Sequence, residues 1–241
     1  MQAKKIPVEE RIIFALDVPG PDEARELVTM LEPEVNFFKV GLQLFLAGGF
    51  RIVDWIIGRG HRVMLDLKFY DIPKTVELAV RQLDGHGITF ATVHGNRAIM
   101  EAAASAVNGL GILAVTVLTS MGEEELKELG AVVSIEELVL KRAVSAGRAG
   151  CAGVVCSPRE VRAVREKTGD SLIVVTPGIR PSSKGYAMPD DQVRTATPYS
   201  AILNGSDYLV IGRPIREADD PLAAVSAMRH EIGLALEEMA Q

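Results

Sequence analysis

Cysteine is almost absent from this sequence. Cys151 and Cys156 are the only two among 241 residues. A secreted disulfide framework would use more, and no second pair stands at metal-ligand spacing, so a disulfide scaffold and a structural zinc site are both excluded. The two thiols are expected to be buried and reduced, as in a cytoplasmic protein. An excess of positive charge is also missing. Lys and Arg number 26 against 32 Asp and Glu, a net charge of −6. This argues against a broad nucleic-acid surface while leaving room for a small anion in a local pocket. No apolar run approaches the ~20 residues of a membrane span. The segment from Met1 to Arg11 is charged and lacks the apolar core of a signal peptide. The four histidines, His61, His86, His94 and His230, form no ligand set by spacing, and His94 reads as a locally hydrogen-bonded core residue. No Gly-x-Gly-x-x-Gly follows the first apolar run, which removes the usual mark of a dinucleotide fold.

What is present is a strongly patterned chain. Hydrophobic residues make up 48% and charged residues 24%, enough for a large core. Residues 12–17, 37–41, 62–68, 89–94, 112–119, 153–156, 172–176 and 208–211 read as eight strands separated by helical stretches. Leu222, Val225, Met228, Ile232 and Ala235 mark the last helix by steps of three and four. Ser157-Pro-Arg-Glu160 has the form of a capping box with Pro at the first helical position, and Thr197-Pro198 reads as another helix start. Eight strand–helix repeats, in a length close to the roughly 250 residues such folds use, predict an α/β (β/α)₈ TIM barrel as a single domain over residues 1–241. An open doubly wound sheet is the alternative that periodicity alone leaves standing.

Charged residues inside the strands carry the chemistry. Side chains alternate faces along a strand. In the third strand Val63, Leu65, Leu67 and Phe69 share one face, while Met64, Asp66 and Lys68 share the other. The apolar set should meet the helices, which sends Asp66 and Lys68 into the barrel at its C-terminal end, where barrel active sites are built. Lys39 in the second strand and Asp17 after the first take the same inward parity. Opposite charges in near contact gain about 4 kcal/mol at an effective dielectric of 20, so an alternating array can keep every member ionised. The alternative is a set of ion pairs that only fills the barrel end, with Asp17 capping a turn. Stability alone is better served by apolar residues. Asp71 reads equally well as a helix N-cap before Pro73.

The last two strands lead into Thr176-Pro-Gly-Ile-Arg180 and Ile211-Gly-Arg-Pro214. Barrels often bind phosphate at these loops. Gly178 and Gly212 permit close backbone approach, and Arg180 and Arg213 offer forked donors. Surface ion pairs are the bland alternative for both arginines. The polar stretch from Pro181 to Ala196 reads as a lid, or else as an idle loop, with Gln192 available for a phosphate or an amide.

Asp66-Leu-Lys-Phe-Tyr-Asp-Ile-Pro-Lys-Thr75 resembles the signature of the bacterial orotidine 5′-phosphate decarboxylase family. The likeness continues through Ala15-Leu-Asp17, Phe38-Lys-Val-Gly41, Val115-Thr-Val-Leu-Thr-Ser120, Pro177-Gly-Ile-Arg180 and Ile211-Gly-Arg-Pro214, in family order across almost the whole chain. The stretch from Ser182 to Asp191 departs from the family pattern. The resemblance implies a charged network of Lys39, Asp66, Lys68 and Asp71, with Asp71 entering the site of a neighbouring subunit in a homodimer. It implies that Ile72 and Thr75 accompany Asp71, and that Asp17 and Lys39 hold ribose hydroxyls. Thr119 or Ser120 would meet the pyrimidine. Gln192, Arg180, Gly212 and Arg213 would bind the phosphate of orotidine 5′-phosphate. No cofactor and no metal are implied.

Three rivals are kept. A Mg²⁺-dependent sugar-phosphate decarboxylase of related fold would need a carboxylate cluster, whereas the inward acids here are interleaved with lysines. A class I aldolase needs a neutral lysine nucleophile, and flanking carboxylates favour the ammonium. A barrel that only binds nucleotides is the non-catalytic reading, which four inward charges serve poorly.

Overall fold

The computed structural model describes residues 3–128, 130–181 and 195–241. The eight expected strands form. They are β1 (Ile12–Ala15), β2 (Phe37–Gly41), β3 (Arg62–Phe69), β4 (Phe90–His94), β5 (Gly111–Val115), β6 (Gly153–Val155), β7 (Ile173–Thr176) and β8 (Tyr208–Ile211). Each pairs in parallel with the next, and β8 returns to β1 through Ile12–Leu209, Ile13–Val210 and Phe14–Ile211. The sheet is therefore a closed barrel, and the open-sheet alternative falls away.

Helices cover the outside. They are α1 (Pro21–Leu31), α2 (Leu42–Gly58), α3 (Pro73–Arg81), α4 (Arg97–Ala106), α5 (Glu123–Glu128), α6 (Ile135–Arg148), α7 (Val161–Thr168), α8 (Pro198–Leu203), α9 (Arg213–Arg216) and α10 (Pro221–Met239). No described helix is long and apolar enough to cross a membrane. Thr197 caps α8 in a full box with Ser200, as its Thr-Pro start suggests. At Ser157 the expectation is only half met. Glu160 accepts from the Ser157 N–H at 2.8 Å, but within a turn, and α7 begins later, at Val161. A complete box at Ser134 and Glu137, which starts α6, was not read from the sequence.

Period-two alternation builds two cores. Outward residues such as Phe14, Phe38, Val63, Leu65, Ala91 and Val93 pack under the helices. Inward residues Ile13, Ala15, Phe37, Met64, Phe90, Leu113, Val115, Val155, Val175, Tyr208 and Val210 fill the barrel. At its N-terminal end Phe37, Phe90 and Tyr208 lie with ring centroids 5.7–5.8 Å apart, and the Arg62 guanidinium sits 4.3 Å above Phe37. This aromatic plug closes one end, so an internal site must open at the other.

Candidate active site

The C-terminal mouth holds a cavity of about 500 Å³. Its floor is apolar, made by Ala15, Met64, Val115, Val155 and Val210. Asp17, Lys39, Asp66 and Lys68 stand around it, joined in the order of their strands. Lys39 Nζ donates to Asp17 Oδ1 at 2.7 Å and lies 3.7 Å from Asp66 Oδ2. Lys68 Nζ donates to the same Asp66 oxygen at 2.9 Å. Asp66 and Lys39 are buried, Lys68 is partly open to the cavity, and Asp17 is exposed at the rim. Burial pushes the Asp66 carboxyl up. The ammoniums of Lys39 and Lys68, with hydrogen bonds from Lys68 and Thr92, outweigh it and hold the group below its ordinary range.

The end of β3 departs from a regular strand. Leu65 pairs with Ala91 and Phe69 with Val93, so Asp66, Leu67 and Lys68 stand opposite Thr92 alone. Lys68 has φ +48°, and it is the only non-glycine residue with positive φ among those described. Strain of this kind costs about 1–3 kcal/mol and gathers at functional sites. Neither the bulge nor the part played by Thr92 was read from the sequence.

The remaining expected residues divide into two groups. Thr119, Gly178, Arg180, Gly212 and Arg213 line the cavity. Gly178 takes φ +80°, which favours glycine, and a Cβ on Gly212 would crowd the Ala15 Cβ at 3.2 Å. Ser120, the alternative to Thr119, is exposed and stands outside the lining. Asp71, Ile72 and Thr75 are not brought to this cavity by their own chain. All three are exposed. Asp71 accepts from the Ile72 N–H at 2.7 Å, and Ile72 rather than Asp71 holds the N-cap position of α3. Gln192 and most of the expected lid lie outside the described residues. The ends of that segment are tied together by Arg180 N–H donating to the Ala196 carbonyl at 2.8 Å, and Ala196 N–H donating to Gly178 at 3.1 Å.

One further residue was missed and one was misread. Arg216 lines the cavity and donates to the backbone carbonyl of Asp17, 199 positions away in sequence. His94 corrects its reading as a hydrogen-bonded core residue. It is half-buried, its ring lies 4.7 Å from that of Tyr70, and the ring makes no hydrogen bond with the described residues. Burial, then Arg142 and Lys68, lower its affinity for a proton. No group of three or more His, Cys, Asp or Glu among the described residues is placed to hold a metal ion.

A parallel barrel closed at one end by aromatics, with alternating acids and ammoniums over an apolar floor at the other, is the architecture of a (β/α)₈ barrel with a candidate active site at its C-terminal mouth. Residues 10–228 match the sequence model of the orotidine 5′-phosphate decarboxylase / HUMPS family, and the chain belongs to that family. A protein from Methylococcus capsulatus named orotidine 5′-phosphate decarboxylase is 50% identical over 230 residues, covering 95% of this chain and 94% of its own. One of the same name from Desulfosudis oleivorans is 48% identical over 237 residues, 95% of each chain. The crystal structure of orotidine 5′-phosphate decarboxylase from Lactobacillus acidophilus superposes with a TM-score of 0.82 at 35% identity. It covers 92% of this chain and 99% of that one.

Proposed function

We propose that this chain is the orotidine 5′-phosphate decarboxylase of its organism, converting orotidine 5′-phosphate to uridine 5′-phosphate and CO₂ in the last step of UMP biosynthesis. The observation that carries the reading is the Lys68 ammonium, fixed by Asp66 at 2.9 Å over an apolar cavity floor. When the bond from C6 to the carboxyl carbon breaks, its electron pair stays on C6 and CO₂ departs. The pyrimidine offers no good electron sink there, so a preorganised cation beside C6 is the stabilisation the reaction needs. Lys68 then gives a proton to C6 and recovers one from solvent.

In this reading Asp66 faces the departing carboxylate, and Asp17 and Lys39 hold the ribose hydroxyls. Thr119 meets the pyrimidine. Arg180, Gly212, Arg213 and Gln192 take the phosphate. Asp71, with Ile72 and Thr75, serves the site of a second copy in a homodimer. Their exposure on one chain, beside the exposed Tyr70, supports that assignment. A cytoplasmic setting agrees with two free, buried thiols. The test is the ultraviolet absorbance change of orotidine 5′-phosphate with purified protein in the presence of EDTA. Turnover that survives chelation supports the reading. Absent turnover, or turnover that Mg²⁺ alone restores, overturns it in favour of a metal-dependent decarboxylase.

A further inference from the structure

The bulge at the end of β3 leaves one residue of β4 facing three of its partner, and that residue is Thr92. Its side chain is fully buried. The hydroxyl accepts from the Lys68 backbone N–H at 2.9 Å and donates to Asp66 Oδ1 at 2.8 Å. The other Asp66 oxygen accepts from Lys68 Nζ at 2.9 Å. The three groups therefore close a ring. It runs from the Lys68 main chain to the Thr92 hydroxyl, to the Asp66 carboxylate, and back to the Lys68 side chain.

We propose that Thr92 is a positioning residue of the decarboxylation, its hydroxyl locking the Asp66 carboxylate to the Lys68 backbone so that the ammonium keeps one placement over the cavity. This rests on the decarboxylase reading above. Three observations lead to it. The Lys68 N–H has lost its strand partner to the bulge, and the hydroxyl replaces that partner in a buried place where an unmade bond is costly. Lys68 holds a positive φ, a state that persists only when its surroundings over-determine it. A hydroxyl that both accepts and donates can make these two bonds at once, which valine of the same shape cannot.

The same bond adds to the two ammoniums in favouring the carboxylate's ionised form. Asp66 is faced by Lys39 from β2, with Asp17 from the loop after β1 behind it, by Lys68 from its own strand and by Thr92 from β4. His94 feels the charges of both Lys68 and Arg142. Taking the hydroxyl away removes one of the groups that favour the anion, so Asp66 should hold its proton to higher pH.

The experiment compares wild type, Thr92→Val and Thr92→Ser in steady-state kinetics across pH, with thermal melts alongside. In Thr92→Val, kcat should fall by about tenfold to a hundredfold, the effect expected of a bond to a charged group, while KM stays close to wild type. The acid limb of kcat/KM should move to higher pH. Thr92→Ser, which keeps the hydroxyl, should recover most of kcat and the original limb. Should Thr92→Val fail to fold, Thr92→Ala carries the same expectations. Normal kcat without the hydroxyl overturns the proposal. So does equal damage in the serine variant, or a lowered melting temperature with an unmoved pH profile. Inactivity of wild type on orotidine 5′-phosphate would instead overturn the reading on which it rests.

Discussion

Asp66 and Lys68 lie two residues apart on β3 and turn to the same side, where the ammonium reaches the carboxylate at 2.9 Å. Alternation would place i and i+2 on one face of a regular strand, but here the bulge and the positive φ of Lys68 interrupt it, and Thr92 of β4 ties the two residues together. Lys39 approaches the same carboxylate oxygen at 3.7 Å from the neighbouring strand. One buried anion thus holds two cations, and the open one faces the cavity.

Lys68→Ala should abolish turnover while leaving the barrel folded. About a third of the Lys68 side chain is exposed, and Asp66 keeps Lys39 when Lys68 is lost, so the structural cost is small. Loss of a preorganised charge at the reacting carbon should lower kcat by at least about a thousandfold. Absorbance assays and a melting curve decide it. Turnover near wild type would remove Lys68 from its proposed place.

Asp66 makes stability depend on pH in a definite direction. Its folded-state affinity for a proton lies below the ordinary value of 3.8. The stabilisation is therefore complete above that value, and it is lost as pH falls from there through the lower, folded value. Asp66→Asn should cost about 3 kcal/mol near neutral pH, because Lys39 is left buried with Asp17 alone. The gap between wild type and variant should close in acid. Urea midpoints measured across the acid range test this, and a constant gap would contradict it.

The parity of the charged residues, the inward face of each strand and the loops after β7 and β8 were legible in the sequence, because they depend only on a period of two and on order along the chain. What was not legible depends on departures from that period or on contacts between distant segments. Positive φ at Lys68 cannot be read from a lysine, and a threonine in β4 is an ordinary strand former until three residues stand opposite it. The fifth strand was read to residue 119 but ends at Val115, where Thr116 turns both its N–H and its hydroxyl to the Val155 carbonyl. The Arg216 contact to Asp17 joins the two ends of the chain, and no local pattern announces it.

Mixing should reveal whether Asp71 serves a neighbour. On its own chain Asp71 is exposed and bonded only to the Ile72 N–H among the described contacts. Lys68→Ala and Asp71→Ala should each be inactive alone. In a two-fold dimer their random hybrids contain one site that lacks both groups and one that keeps both, so the mixture should regain about a quarter of wild-type activity after subunit exchange. No recovery, with hybrids shown by native mass spectrometry, would place Asp71 in its own subunit's site or in none.

Cys151 should be chemically silent in the folded protein. Burial pushes its thiol up to about 12. The thiolate is the reactive form, so iodoacetamide at about pH 8 should leave Cys151 unmodified until denaturant is added. Peptide mapping after a timed pulse reads this directly, and rapid labelling of the native protein would mean that the segment before β6 opens readily.

Arg213 tests whether binding energy from the far end of the substrate is used at the reacting carbon. It begins α9 directly after Gly212 and lines the same cavity as Lys68. If its guanidinium takes the phosphate, Arg213→Ala should raise KM for orotidine 5′-phosphate by at least about tenfold for each charged hydrogen bond lost. Some of that energy should also serve to orient the pyrimidine, so kcat should fall as well. Orotidine, which lacks the phosphate, should be turned over slowly and at the same rate by wild type and variant. The difference between the two substrates is what isolates the phosphate contact from damage to the loop. An equal loss on both would mean that Arg213 supports the mouth of the barrel without touching the phosphate.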